Sequence, residues 1–400
     1  MSLFGPKYKP IVGLDIGTAT IRAMELRPSG NQWRLHRWHQ ALLPPTLLSD
    51  GKLKASDEAS QFVRNFHKEG KFSTNRIALS VGGPSVICKK IFVDQMTEME
   101  LEDQIALEAE EYIPFDIDEV YIDFQIIGDF DDKMAVLLTA CKKDFVNDKL
   151  EICRQAGLLP LILDLDVFSL ANAYVEFDQT PKGKSKKKVF SWKALFSGRK
   201  NKPPSEATKT GLVTSSSMPV SKPDAVKSST DPIIAIVNIG SQNLNTIVLV
   251  GGNADYTREV AFGCRSMVND VMDQTGLTLD EVQNTLHLSP DQADSPQIQE
   301  AWQTIILPFE EKLAQQIRQS LDMFQSSRVQ RDQVQAVQLT GGGAAIAGID
   351  QRIGQNLGLP VTIFNPSRLL KRTLNAKGPS IDLTTNYTIS LGLALRGMSP

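Results

Sequence analysis

Apolar residues recur along this chain with two different periods, and the switches between them mark out its elements. Residues 11–16 (IVGLDI) and 21–26 (IRAMEL) have strand character, and GTAT at 17–20 predicts a hairpin turn between them. Residues 77–81 and the apolar run 134–140 predict further strands. A helix is predicted over about Glu98–Tyr112, and a second over Lys143–Ala156, closed by Gly157, a residue suited to a left-handed cap. Residues 233–237 then open a new strand, the chain turns at Gly240, and 246–250 returns. This repeats the plan of 11–26, so the chain divides into two related halves, each opening with strand, glycine turn and strand. Within 298–326, Phe309, Leu313, Ile317, Leu321 and Phe324 recur at three- and four-residue spacing, which is one face of a helix that Pro308 kinks or restarts. A strand at 336–340, a tight turn at Gly341–Gly343 and a helix running toward Gly354 follow.

Composition changes this picture in one place. Residues 179–232 are rich in Lys, Ser, Pro and Thr with little apolar periodicity, which predicts a disordered insert. Elsewhere the balance is that of a globular protein, and 400 residues suggest two or three domains at about 150 residues each. A net charge of −3 gives no global electrostatic case for nucleic acid. The four cysteines, Cys88, Cys141, Cys153 and Cys264, are scattered without a CxxC pair, which argues against a disulfide framework and against zinc. The first residues lack the pattern of a signal peptide, and no run of about 18 apolar residues occurs, so a cytoplasmic protein is expected.

Three glycine turns carry the candidate chemistry: DIGTAT at 15–20, NIGSQN at 238–243 and TGGGAA at 340–345. In the first two, a polar residue ends a buried strand and a glycine turns the chain sharply, so successive N–H groups can converge on an anion. Asp15 would not bind phosphate itself. Its use is to hold hydrated Mg²⁺, which takes oxygen ligands and keeps several waters. In the third, three glycines before a helix let the backbone approach a nucleotide closely. No GxxxxGK[ST] occurs and no GxGxxG follows the first strand, which disfavours P-loop and Rossmann sites.

In this order, the three turns resemble the phosphate-1, phosphate-2 and adenosine motifs of the actin, Hsp70 and sugar-kinase superfamily. Within it, EAEEYIPF at 108–115, AGLLP at 156–160, DLD at 164–166 and GLALR at 392–396 resemble the PilM family of type IV pilus assembly proteins, with FtsA the next nearest relative. The resemblance spans nearly the whole chain except 179–232. It implies an α/β actin-like fold, two RNase-H-like halves around a nucleotide cleft, with an FtsA/PilM-type extra subdomain. The implied divisions are a first half at 1–78, the extra subdomain at 79–160, a connecting helix at 161–178, the insert at 179–232, a second half at 233–358, and a return to the first half at 359–400. Matched position by position, Asp15, Gly17, Thr18, Ala19 and Thr20 fall on phosphate 1. Asn238, Gly240, Ser241 and Gln242 fall on phosphate 2, and Gly341, Gly342 and Gly343 on the adenosine turn. Gln316, Gln319 and Ser320 fall on the helix facing adenine and ribose. ATP and Mg²⁺ are the implied cofactors, with Asp15 nearest the metal. Asn238 stands where the family has Asp, Cys264 and Val268 interrupt a Gly-Gly-x-x-x-Thr segment, and Gln316 replaces a Glu. These departures imply slow hydrolysis at most.

The family resemblance further implies a cytoplasmic scaffold lying against the inner membrane. It would bind the N-terminal cytoplasmic peptide of a PilN-like membrane protein through the extra subdomain, meet other pilus platform proteins, and self-associate into a ring. From Ile91 to Asp132 the chain has 15 Asp or Glu and no Lys or Arg, an excess that favours a basic partner, with Glu108, Glu110 and Glu111 as candidate contacts. Between Lys182 and Lys202 there are nine Lys or Arg and no acid, interleaved with Phe190, Trp192 and Phe196, the composition of a segment that adsorbs to an anionic leaflet. Three other functions remain open on the residues alone: an FtsA-like membrane-associated filament former, a carbohydrate kinase, for which Asn238 is a poor base, and a nucleotide-free pseudo-ATPase scaffold.

Overall fold

The structure, a computed structural model, describes residues 9–397 apart from 30–31, 50–51, 131, 178–230, 293–294, 329–332, 366–369 and 371–384. The basic segment 182–202 and nearly all of the predicted insert therefore lie outside the described residues.

Each half is built on a five-stranded sheet. In the first, β1 (Val12–Ile16), β2 (Thr20–Ser29) and β3 (Gln32–Leu42) form an antiparallel meander, and β6 (Arg76–Val81) and β10 (Leu159–Leu165) add in parallel on the other side of β1. Short β4 (Leu48–Ser49) and β5 (Lys52–Leu53) pair separately. In the second half, β11 (Ile233–Ile239), β12 (Leu244–Val250) and β13 (Asn253–Val260) are the meander, with β14 (Ala336–Thr340) and β15 (Val361–Ile363) added in parallel. The strand orders β3-β2-β1-β6-β10 and β13-β12-β11-β14-β15 are the same. The repeat expected from two hairpins thus extends to the whole sheet. Central strands β1 and β11 are almost wholly apolar because they are covered on both faces, as parallel pairing requires.

Helices cover these sheets. The predicted helices near 98–112 and 143–156 are α2 (Glu98–Tyr112) and α3 (Lys143–Gln155), the latter ended by Gly157 at φ +83°. α1 (Asp57–Glu69) packs beside α3. The expected connecting helix over 161–178 is shorter, α4 (Asp166–Phe177), because 161–165 pair with β6 as part of β10. In the second half lie α5 (Cys264–Thr275), α6 (Leu279–Leu286), α7 (Pro296–Ala301) and α8 (Leu307–Ser326). Between α7 and α8, residues Trp302–Ile306 form a π-turn. Pro308 has no N–H to donate to a carbonyl one turn back, and the widened turn accommodates the break without ending the helix. The helix expected toward Gly354 is α9 (Ile349–Leu357); Gly354 lies inside it and Gly358, at φ +69°, closes it.

α10 (Thr388–Arg396) returns to the first half and packs against α4 and β1. A Cβ on Gly392 would overlap the Ser169 carbonyl oxygen of α4, and one on Gly13 would overlap the Ser390 carbonyl oxygen of α10. At the end of α10, the buried Arg396 donates to Asp164 at 2.9 Å. The DLD and GLALR segments are therefore joined by a buried ion pair.

The third layer comprises β7 (Val86–Asp94), β9 (Lys133–Lys142) and β8 (Val120–Phe130), in that order, under α2. It spans 86–142, narrower than the expected 79–160, since β6 and β10 belong to the first sheet and α3 packs into the first core. β7 also meets the second half: Thr257 donates to the Cys88 carbonyl at 3.3 Å, and Lys90 pairs with Asp255 at 2.7 Å. Among the described residues no helix is long and apolar enough to cross a membrane.

Candidate nucleotide site

The first turn is fixed by its own backbone. Gly17 N–H donates to Thr20 O at 3.0 Å, and Leu43 N–H to Ala19 O at 2.8 Å. Thr18 and Ala19 are half-buried at the tip, and Thr20 is buried in β2. Beneath the tip, Lys149 of α3 donates to the Ile16 and Ser80 carbonyls at 3.3 and 3.1 Å. Asp15 is buried, 3.8 Å from Arg22 across the β1–β2 pair. Burial first, and then the Asp166 carboxylate, push its pKa up to about 6, while Arg22 and Lys149 pull it down.

The second turn is closed by Gly240 N–H to Asn243 O at 2.9 Å, leaving Ser241 and Gln242 half-buried. The start of α5 docks on it. Cys264 N–H donates to Gly240 O at 3.0 Å and Arg265 N–H to Ser241 O at 2.8 Å. The third turn leaves β14 through Gly341 at φ +86°, a conformation that favours glycine. It continues as a 3-10 turn over Gly342–Ala345. The glycines do not open α9 directly, as expected from the sequence; α9 starts later, after Gly348, because 342–345 coil first. Gly341 abuts the Asn238 side chain and Gly343 abuts Cys264, so both are buried, and Gly342 alone of the three is exposed. Cys264 thus packs on the third turn, and burial pushes its thiol up to about 12.

The three turns do converge. Turn two touches turn three through Asn238 and Cys264, and turn one through Arg265, whose guanidinium donates to the Thr18 carbonyl. On α8, Gln316 is half-buried and Gln319 exposed. Ser320, expected on the ligand-facing side, is fully buried, with its hydroxyl engaged by the Gln316 carbonyl at 2.9 Å and by Arg258 at 3.2 Å. It shapes the wall and offers no open group. Arg258 also donates to Gln319 at 3.1 Å.

Four residues that sequence reasoning missed stand here: Lys149, Asp166, Glu259 and Arg265. Asp166 opens α4 beside Gly82, and its charge acts on both Asp15 and Glu259. Glu259 of β13 is aligned with Asn245 and, through it, with Asn238. Burial, then Asp166, push its pKa up to about 7, against a hydrogen bond from the Gly83 backbone. One of its carboxyl oxygens is buried without a partner. The advance signals were the DLD segment, which contains Asp166, and the segment at 263–268, which contains Arg265. The others meet through strand register and helix packing.

The candidate partner residues lie on α2. Glu110 and Glu111 are exposed, and Glu108 is half-buried and accepts from Gln104 at 3.2 and 3.1 Å. Met99 and Leu107 are exposed on the same helix, Leu107 at 84%. The acidity of 91–132 is less one-sided in space than along the chain. Lys89 and Lys142 sit over the Tyr112 and Phe115 rings, and Lys143 donates to the Asp118 carbonyl at 2.7 Å.

Comparison with known proteins places this geometry. A family model described as type IV pilus assembly protein PilM matches residues 13–192 and 215–398. Among solved structures, a PilM-PilN type IV pilus biogenesis complex is 21% identical, covering 98% of this chain and 99% of that one, with a TM-score of 0.72. The ethanolamine utilization protein EutJ from Carboxydothermus hydrogenoformans is 13% identical over 97% of this chain and 90% of its own, with a TM-score of 0.49. MreB5 of Spiroplasma citri bound to ADP is 11% identical over 98% and 95%, with a TM-score of 0.45. The fold is the actin-like one, two matching halves with the extra layer of β7, β8, β9 and α2.

Proposed function

The chain belongs to the PilM family of type IV pilus assembly proteins, and from that premise we propose that it is an ATP-binding scaffold of the pilus assembly platform. On this reading it is peripheral to the inner membrane and holds the N-terminal peptide of a PilN-like protein. The observation that carries the nucleotide part is the convergence of three glycine turns from two matching sheets, joined through Asn238, Cys264 and Arg265. The residues fit a nucleotide with its metal. Exposed Gly342 allows close backbone approach, and half-buried Ser241 and Gln242 line the second turn. Among the described residues no three His, Cys, Asp or Glu side chains form a metal cluster. Magnesium would enter with the polyphosphate and meet Asp15 as one carboxylate among phosphate oxygens and waters.

The peptide part rests on α2 and its sheet. Glu110 and Glu111 are open to a basic segment, and Met99 and Leu107 give it apolar contact. The test is bound nucleotide in the purified full chain, together with the thermal midpoint with and without Mg–ATP. A ligand of the folded state raises the midpoint by mass action, by about 2.7 kcal/mol at a hundredfold excess over Kd. No bound nucleotide and no shift would leave a nucleotide-free scaffold as the surviving account.

A further inference from the structure

Arg265 is the residue that touches both phosphate turns. Its backbone N–H donates to Ser241 O of the second turn at 2.8 Å, and its guanidinium Nη2 donates to Thr18 O of the first. It therefore spans the seam between the two halves. Other cations on these walls are committed elsewhere. Arg22 is held by Asp15 at 3.8 Å and by Gln40 at 3.1 Å, Lys149 by the Ile16 and Ser80 carbonyls, and Arg258 by Gln319 and Ser320. Arg265, like Lys149 and Arg258, meets only neutral acceptors, but of these four cations it is the one bonded to both the first and the second turn. A phosphate oxygen is the better partner for it: hydrogen bonds between ions are roughly twice as strong as neutral ones, and a guanidinium can grip a phosphate with two parallel bonds.

The charge around the turns gives this side chain its use. Asp166 lies close enough to both Asp15 and Glu259 to add to the rise that burial gives their pKa values, a concentration of acid that disfavours a polyanion. A cation that reaches from the second turn to the first can offset that where a terminal phosphate would lie. We propose that Arg265 is the residue that distinguishes a nucleoside triphosphate from a diphosphate. With a triphosphate between the turns, its guanidinium leaves Thr18 O for the terminal phosphate, so the halves are joined through the ligand. A diphosphate is one group shorter and leaves the guanidinium on Thr18. This rests on the nucleotide site proposed above and adds to it the group that reads its terminal phosphate.

Fluorescent ATP and ADP, each with Mg²⁺, titrated into the full chain, test it for wild type, Arg265→Lys and Arg265→Gln. Loss of a charge-assisted hydrogen bond predicts about a 10- to 100-fold loss of ATP affinity in Arg265→Gln, with ADP changed by no more than about 3-fold. Arg265→Lys keeps the charge without the fork and should fall between. A thermal midpoint without nucleotide checks the fold; if Arg265→Gln does not fold, Arg265→Lys carries the comparison. Equal loss for ATP and ADP, or no loss for either, overturns the role of Arg265 while leaving the nucleotide site standing. Wild type that binds neither nucleotide overturns both.

Discussion

Changing Asp15 to its isosteric amide separates the burden that the carboxylate places on the fold from the service to the ligand proposed for it. Asp15 ionises near 3.9 in an unfolded chain and near 6 in the fold, chiefly because burial strips its water and secondarily because Asp166 stands close. A group whose pKa rises on folding takes up a proton, so its contribution is most favourable below about pH 4. That contribution is lost between about 4 and 6 and stays lost above. At about 1.4 kcal/mol per pKa unit, two units set the burden of ionised Asp15 at pH 8 on the order of 3 kcal/mol. Asp15→Asn should therefore be more stable than wild type by about 1–3 kcal/mol at pH 8 and equal to it near pH 4. The assay is urea unfolding of both proteins across pH 4–8, taken as a difference. Glu259 and Asp123, each raised to about 7 by burial, titrate in both proteins and largely cancel. The same variant should lose most of its Mg–ATP thermal shift, and wild-type affinity for Mg–ATP should rise with pH through about 6 as Asp15 ionises. A variant destabilised by the same amount at pH 5 and pH 8 would refute the argument, because the amide would then be costing packing and relieving no charge.

Three further outcomes follow from the geometry. Asn238→Asp should leave or raise a slow ATPase rate measured by phosphate release, since positioning supplies most of phosphoryl-transfer catalysis; wild-type turnover on the order of 1 s⁻¹ would contradict the assigned weakness. Arg396→Met alone should cost about 3–5 kcal/mol by stranding the buried Asp164 carboxylate, and adding Asp164→Leu should recover much of it, as a double-mutant cycle in urea would show. A synthetic peptide from the N-terminus of a PilN-like protein should bind the full chain in a salt-dependent way, weakened by Glu108→Lys with Glu111→Lys; salt-independent binding that ignores those reversals would count against the acidic face.

What could be read from the sequence was whatever is local. Residues 11–26 and 233–250 announce hairpins because both strands are apolar and the turn between them contains glycine, and the same two hairpins give away the halves. α2 was legible as a helix over about Glu98–Tyr112, and the structure adds the capping box of Thr97 and Glu100 that starts it. β3, β7, β8 and β13 went unseen. In β7, Lys89 and Lys90 interrupt the apolar alternation to reach over Tyr112 and to Asp255. Tertiary partners decide those positions, and a window of sequence cannot contain them. The same holds for the site: its turns were legible, and the charges that face them were not.

Strand register explains how the second half came to differ from the first. Asp15, Arg22 and Gln40 stand abreast across β1, β2 and β3, and Asn238, Asn245 and Glu259 stand abreast across the corresponding strands β11, β12 and β13. In the first row the acid sits on the central strand, at the turn, with a base beside it. In the second the central strand carries an amide, and the acid stands two strands away. Neighbouring strands are about 4.8 Å apart, so Glu259 is displaced from the Asn238 position by about 10 Å, roughly the span of two hydrogen-bonded water layers. At that distance its carboxyl reaches Gly83 and feels Asp166 but cannot orient a water held at the second turn. On the nucleotide-site reading proposed above, the charge of the site would be kept while its placement for hydrolysis is lost, the arrangement expected of a protein that holds its nucleotide longer than it spends it.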